Sequence, residues 1–267
     1  MYPFRRILIP TDFSTASEWA FDDAIRIAGI NAAELIILHI RMTWEGQPST
    51  LRLPADAALY EYAEKQELDR LRERVQRANA SVSTRLAVKQ GPDAGVEIAR
   101  SAVEEKADLI VIASHARHHV AHLLIGSTTL KVISDPPAPV MAIRYGIRKR
   151  QNMRRILVPV YPNQTSHAAL ELAAAITSRE GGDLQLATVC EDLHRAAAEA
   201  SLHELKQRFP AAKAEILRGA DVDKQLIRYA EKSNADIIFV NATRNLGEMK
   251  GNILRQATTP VMVVPGG

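Results

Sequence analysis

One cysteine, 5% aromatic residues and no apolar run much beyond the five residues of Leu109–Ala113 set the first limits on this 267-residue chain. A lone Cys190 cannot close an internal disulfide and one thiol is no metal framework, so the chain reads as a protein of a reducing compartment, the cytoplasm. A bilayer-spanning helix takes about 20 consecutive apolar residues, so no membrane partner is expected. The first ten residues carry Arg5 and Arg6 but lack the apolar core of a secretory signal. Also missing are a Gly-x-Ser-x-Gly elbow, a Walker A loop, a paired His-Glu zinc-protease motif, and a Gly-x-Gly-x-x-Gly after the first apolar run. The expectation is a protein that is not an enzyme, beyond weak incidental hydrolysis. The net charge of +3 does not point to nucleic acid. Residues 1–146 hold 17 Lys/Arg against 18 Asp/Glu and residues 154–267 hold 14 against 13, so the excess is Arg148, Lys149 and Arg150 in a short connector.

What is present is a repeat. Arg5-Arg6-Ile7-Leu8-Ile9-Pro10 returns as Arg154-Arg155-Ile156-Leu157-Val158-Pro159, an offset of 149. Ala107-Asp108-Leu109-Ile110-Val111 returns as Ala235-Asp236-Ile237-Ile238-Phe239 at offset 128, and Pro139-Val140-Met141 as Pro260-Val261-Met262 at offset 121. Constant order with falling offsets means two homologous domains, the second shortened by 21 and then 7 residues. The boundaries read as 1–146, a basic linker at 147–153, and 154–267.

Within the first copy, β-branched runs at 6–10, 34–40, 84–89, 108–113 and 139–143 alternate with amphipathic segments, the pattern of βαβ units with a parallel sheet. A first helix is expected after Thr15, which forms a capping-box pattern with Glu18, and it carries Ala16, Ala20, Ala24, Ile27 and Ala28 at helical spacing. A second is expected over 55–79, with Leu59, Tyr62, Leu68, Leu71 and Val75 as its apolar stripe. The third and fourth fall at 93–105 and 123–134, and the second copy has a shorter second helix at 191–208. In such a sheet, ligands bind beyond the carboxyl ends of the strands where strand order reverses. Those ends are Pro10-Thr11-Asp12, Leu38-His39-Ile40, and Ala113-Ser114-His115-Ala116-Arg117, the last followed by Gly126-Ser127-Thr128. A Gly-Ser-Thr step entering a helix can present amides and hydroxyls to a phosphate, or Ser127 or Thr128 can simply cap the helix. Asp12 with His39 could act as an acid–base pair, or Asp12 could serve as a cap or ribose ligand.

Together, Ile7–Ser14, the Leu38-His39-Ile40 strand ending, Ala107–Ile112 and Pro136–Ile143 make the chain resemble the universal stress protein (UspA) superfamily in its tandem form. The resemblance implies an α/β fold of two Rossmann-like, adenine nucleotide alpha hydrolase-like domains. Each would hold a mostly five-stranded parallel sheet with helices on both faces. The domains would pair as a pseudo-dimer through the last strands, 139–143 and 260–264. ATP-binding members carry Gly-x2-Gly-x9-Gly-Ser/Thr after the fourth strand. Here Ala113 and Ala116 stand for the first two glycines, nine residues follow, and Gly126-Ser127 complete the motif. Alanine adds a methyl where backbone approaches phosphate and excludes conformations that need positive φ. Arg117 and His115 stand in the same loop as phosphate donors. The implied contacts are Pro10, Thr11 and Asp12 to adenosine, Ile40 by its backbone at adenine, and Ala113, His115, Ala116, Arg117, Gly126, Ser127 and Thr128 around the phosphates. Magnesium would come only with the nucleotide.

The second copy departs further. Tyr161 replaces the Asp, Asn241 and Arg244 replace the glycines, two residues separate Arg244 from Gly247, and Glu248 takes the Ser/Thr place. It is expected to bind no ATP and to act as a structural partner. The reading is a non-enzymatic stress-response regulator responsive to an adenine nucleotide. The alternatives are a protein-interaction module with both sites degenerate, and a zinc protein using His115, His118, His119 and His122, which share one face if helical. The histidines lack a nearby carboxylate or Cys in sequence to complete a metal site. Further pairing into a homodimer, and an unidentified protein partner, stay open.

Overall fold

Strands buried on both faces read as continuous apolar runs, and in a computed structural model those of the two repeats join edge to edge. The structure describes residues 2–43, 54–114, 125–144, 153–161, 167–242 and 248–266. The first half runs β1 (Arg6–Thr11), α1 (Thr15–Asn31), β2 (Glu34–Met42), α2 (Pro54–Ala78), β3 (Thr84–Gly91), α3 (Ala94–Glu104), β4 (Leu109–Ala113), α4 (Ser127–Ser134) and β5 (Val140–Ile143). The second runs β6 (Arg155–Pro159), α5 (His167–Glu180), β7 (Asp183–Cys190), α6 (Arg195–Arg208), β8 (Lys213–Arg218), α7 (Val222–Lys232), β9 (Ile237–Asn241), α8 (Glu248–Gln256) and β10 (Val261–Val264). Among the described residues the strands form one sheet in the order β3-β2-β1-β4-β5-β10-β9-β6-β7-β8. Every neighbour is parallel except β5 with β10, where Met141 lies opposite Met262 and Val140 opposite Val263. This is the pairing of last strands that the sequence resemblance implied.

Alternation along the strands divides the core. Ile7, Ile9, Leu35 and Ile37 face α1 and α2 and join Ile156, Val158 and Phe239 in one apolar cluster that crosses both halves. Leu8, Ile36, Leu38 and Ile40 face α3 and α4 and share a second cluster with Leu157, Ile238 and Val261. The repeated Arg-Arg and Ala-Asp motifs explain each other at the amino ends of the strands. The Asp108 carboxylate accepts the amides of Arg5 and Arg6 (2.8 and 3.1 Å), and Asp236 accepts those of Arg154 and Arg155 (3.2 and 2.9 Å). Each Asp thus satisfies backbone donors at the start of a central strand, a structural role in both copies.

Three local expectations are corrected. The N-cap of α1 is Ser14, whose hydroxyl accepts the Ser17 amide (3.3 Å), because Asp12 has already turned the chain. Glu18 instead pairs with Arg70 and Arg74 of α2. On α2, Leu68, Leu71 and Val75 are buried, but Leu59 and Tyr62 are exposed and Glu64 continues the buried line. The spacing 64, 68, 71, 75 is one helical stripe, from which 59 and 62 fall away. Finally, α4 begins at Ser127 with Gly126 as its N-cap, so neither Ser127 nor Thr128 caps it.

Candidate functional site

The strand order of the first half reverses between β1 and β4, so a crevice opens beyond their carboxyl ends. Pro10 pairs in register with Leu38 and Thr11 with His39. Ile40, Ile112 and Ile125 line the side covered by α3 and α4. Across β1 from Ile40, β4 ends at Ala113, whose carbonyl accepts the Thr129 hydroxyl (2.8 Å), while the Gly126 amide donates to the Ser114 carbonyl (3.3 Å). These two bonds hold the amino end of α4 against the end of β4. Gly126 has extended backbone (φ −62°, ψ 144°) and no side chain to cap the helix, so the Ser127 and Thr128 amides begin the helix without a side-chain acceptor from the N-cap. A helix start of this kind favours an anion.

Asp12 is exposed at the tip of β1 and its Oδ1 accepts the Ser14 amide (3.1 Å) and hydroxyl (2.5 Å). The cap of α1 that the sequence offered to Asp12 is taken by Ser14, and Asp12 instead forms the turn before it. Thr11 is buried with its polar groups turned inward: Oγ1 accepts the Phe13 amide (3.0 Å) and bonds the Ser17 hydroxyl (3.2 Å). Its carbonyl accepts the His39 Nδ1–H (2.8 Å). Ala113 closes a regular strand and is not among the residues with positive φ, so its methyl costs no backbone strain. His115, Ala116, Arg117, His118, His119 and His122 lie outside the described residues, and with them the histidine metal reading. Among the described residues no group of three or more His, Cys, Asp or Glu is placed to hold a metal ion.

His39 belongs to a cluster the sequence did not reveal. With Nδ1 donating to Thr11, Nε2 faces the Tyr60 hydroxyl at 3.4 Å and lies 3.7 Å from Glu64 Oε2. Arg41 grips the same carboxylate with both ends of its fork, at 2.7 and 2.8 Å, and reaches Glu61 at 3.2 Å. The Glu64 hydrogen bonds raise the Arg41 pKa above its ordinary value. Phe13 stacks on the imidazole, centroids 4.4 Å apart. The available signal was a polar His and Arg alternating at the end of an apolar strand, and a Glu four residues before Leu68.

The second half places different chemistry at the matching edge. Tyr161 takes the place of Asp12, packs like Val189 and Leu217 against the cluster that holds Leu157 and Ile238, and is pushed up in pKa by burial with Asp223 adding to it. Asn241 ends β9 where Ala113 ends β4, and the acidic residue Glu248 is the first of α8 where Ser127 is the first of α4. Arg244 and Gly247 lie outside the described residues.

The universal stress protein family model matches this chain twice, over residues 3–144 and 152–265. The chain belongs to the universal stress protein family. A universal stress protein of Thermus aquaticus, from the region 3′ of a QAH/OAS sulfhydrylase, is 33% identical over 146 residues, covering 53% of this chain and 99% of its own length. Universal stress protein MJ0577 of Methanocaldococcus jannaschii is 27% identical over 154 residues, covering 53% of this chain and 95% of itself. Such relatives match one half, as expected where two family domains stand in tandem. A universal stress protein of Archaeoglobus fulgidus shares the fold across the whole length, with a TM-score of 0.74, 23% identity and 98% of each chain covered. No helix among the described residues of this universal stress protein is long and apolar enough to cross a membrane.

Proposed function

We propose that this universal stress protein is a non-enzymatic, cytoplasmic regulator that binds one adenine nucleotide, ATP or a close relative, in its first domain and none in its second. The observation that carries the reading is the start of α4, tied by Gly126 and Thr129 to the end of β4 beside Asp12 and Ile40. The residues present fit such a ligand. Pro10 and Ile40 offer an apolar seat for the base, Asp12 a carboxylate for ribose, and the amides of Ser127 and Thr128 positive dipole ends for phosphate, with any magnesium riding on the phosphates. In the second domain a half-buried tyrosine replaces the ribose carboxylate and an acidic residue takes the sequence place of Ser127, and both oppose the same ligand.

The test is release of bound small molecules. The purified chain is denatured and its supernatant identified by mass spectrometry, followed by titration of the ligand-free protein with ATP. About one adenine nucleotide per chain, or saturable ATP binding, is the expected result. A chain that carries none and binds none contradicts the reading and turns the search to protein partners.

A further inference from the structure

The buried residues Thr11, His39 and Glu64, with the half-buried Arg41, lie behind the proposed cleft, on the side covered by α1 and α2, and none of the ligand contacts named above uses His39, Glu64 or Arg41. We propose that His39 is the positioning residue of that cleft: its imidazole holds the turn that presents Asp12, with Glu64 and Arg41 fixing the ring from behind. The proposal rests on the nucleotide reading for its consequence and on the geometry of the turn for its cause.

The turn needs holding. Phe13 sits at φ 59°, a left-handed conformation that a bulky aromatic residue adopts only when its surroundings enforce it. The same imidazole secures the turn on both sides of Asp12. It donates Nδ1–H to the Thr11 carbonyl at 2.8 Å and stacks under the Phe13 ring at 4.4 Å and 29°. The ring is held in turn, because Nδ1–H fixes the tautomer and leaves Nε2 facing the Tyr60 hydroxyl and the Glu64 carboxylate. The Glu64 side chain is only 4% exposed and is oriented by the two-pronged bond from Arg41.

The second domain supplies the comparison within one molecule. Pro159 pairs with Ala187, so Val160 and Thr188 stand where Thr11 and His39 stand, and Cys190 where Arg41 stands. On α6 the buried residues Ala198, Leu202 and Leu205 repeat the spacing of Glu64, Leu68 and Leu71, which sets Ala198 against Glu64. No imidazole, carboxylate or guanidinium stands at these positions, and the aspartate they would present is replaced by Tyr161. If the chain served only to finish a central strand, both halves would need it. It occurs in the half that keeps Asp12.

The experiment uses the full chain labelled with 15N. Long-range imidazole spectra, with His39 assigned by its loss in His39→Asn, are expected to show a proton fixed on Nδ1 of His39; a ring protonated on Nε2 alone, or an averaged ring, overturns the proposal. His39→Asn keeps a donor near Nδ1, whereas His39→Leu keeps only volume. Hydrogen exchange at Phe13 and Ser14 is expected to quicken about tenfold or more in His39→Leu, as loss of one buried hydrogen bond implies, while the other strands stay within about twofold. ATP affinity should fall in parallel and recover in His39→Asn. Equal exchange in wild type and both variants, or undiminished ATP binding by His39→Leu, overturns it. Should His39→Leu fail to fold, the tautomer and the Asn variant still decide. Wild-type protein that binds no ATP removes the nucleotide reading, and the tautomer and exchange results then still confirm or refute the hold on the turn.

Discussion

A buried carboxylate is stable only when its charge is answered, and Glu64 is answered by Arg41. Arg41→Met keeps much of the side-chain volume while stranding that charge, so we expect it to lower the free energy of unfolding by about 2–4 kcal/mol in urea titrations at neutral pH. A loss under about 0.5 kcal/mol would mean the pair is bathed in solvent. Asp23 is the opposite case. It lies on the buried side of α1 and burial raises its pKa above the ordinary 3.8, with Arg26 only partly offsetting the effect. Because the folded value is the higher one, the contribution of Asp23 to stability is complete below the ordinary value and is lost as pH rises through the folded value. Asp23→Asn should therefore gain on wild type as pH climbs from about 4 to 7 in paired unfolding curves. A gain that is flat with pH, or reversed, contradicts the assignment. The two residues differ in how visible they were. Asp23 stood one position from the predicted Ala24 stripe and could be suspected, whereas the partnership of Arg41 with Glu64 joins a strand to a helix 23 residues on and is fixed only by packing.

At the scale of elements, periodicity made nearly every strand and helix legible, since β-branched runs and 3.6-residue stripes report burial directly. Caps and stripe ends were less legible because they depend on neighbours. Ser14 rather than Thr15 caps α1 since Asp12 bends the preceding turn, and Glu64 rather than Tyr62 continues the α2 stripe since Arg41 and His39 wait beneath it. The same logic separates stability from binding at α4. Gly126 caps the helix at φ −62°, a conformation open to any residue, and an aspartate there could accept the free amides of the first turn. Gly126→Asp is expected to unfold at the wild-type temperature or slightly above it, gaining a few tenths of a kcal/mol, yet to lose ATP binding because its carboxylate occupies the phosphate position. Binding that survives the substitution would place the phosphates elsewhere.

At the scale of the whole molecule, the antiparallel β5–β10 pair converts two domains into one sheet, and both apolar clusters run through it without a break. Met141 and Met262 face each other at this seam with 2% and 0% exposure, so neither half can open alone without baring them. Scanning calorimetry should accordingly give one cooperative transition, and two resolved transitions would show that the seam is weak. The repeat made the two domains readable from the sequence, while the asymmetry between their edges emerged only in part: Tyr161 and Glu248 could be read as departures, but the His39 cluster and its loss in the second half required the register of β6 with β7. That asymmetry is the central claim. It is tested most directly by the stoichiometry of ATP binding to the ligand-free, full-length chain in isothermal titration calorimetry. The account predicts one site per chain, abolished by Gly126→Asp; two sites, or one site that persists in that variant, would contradict it.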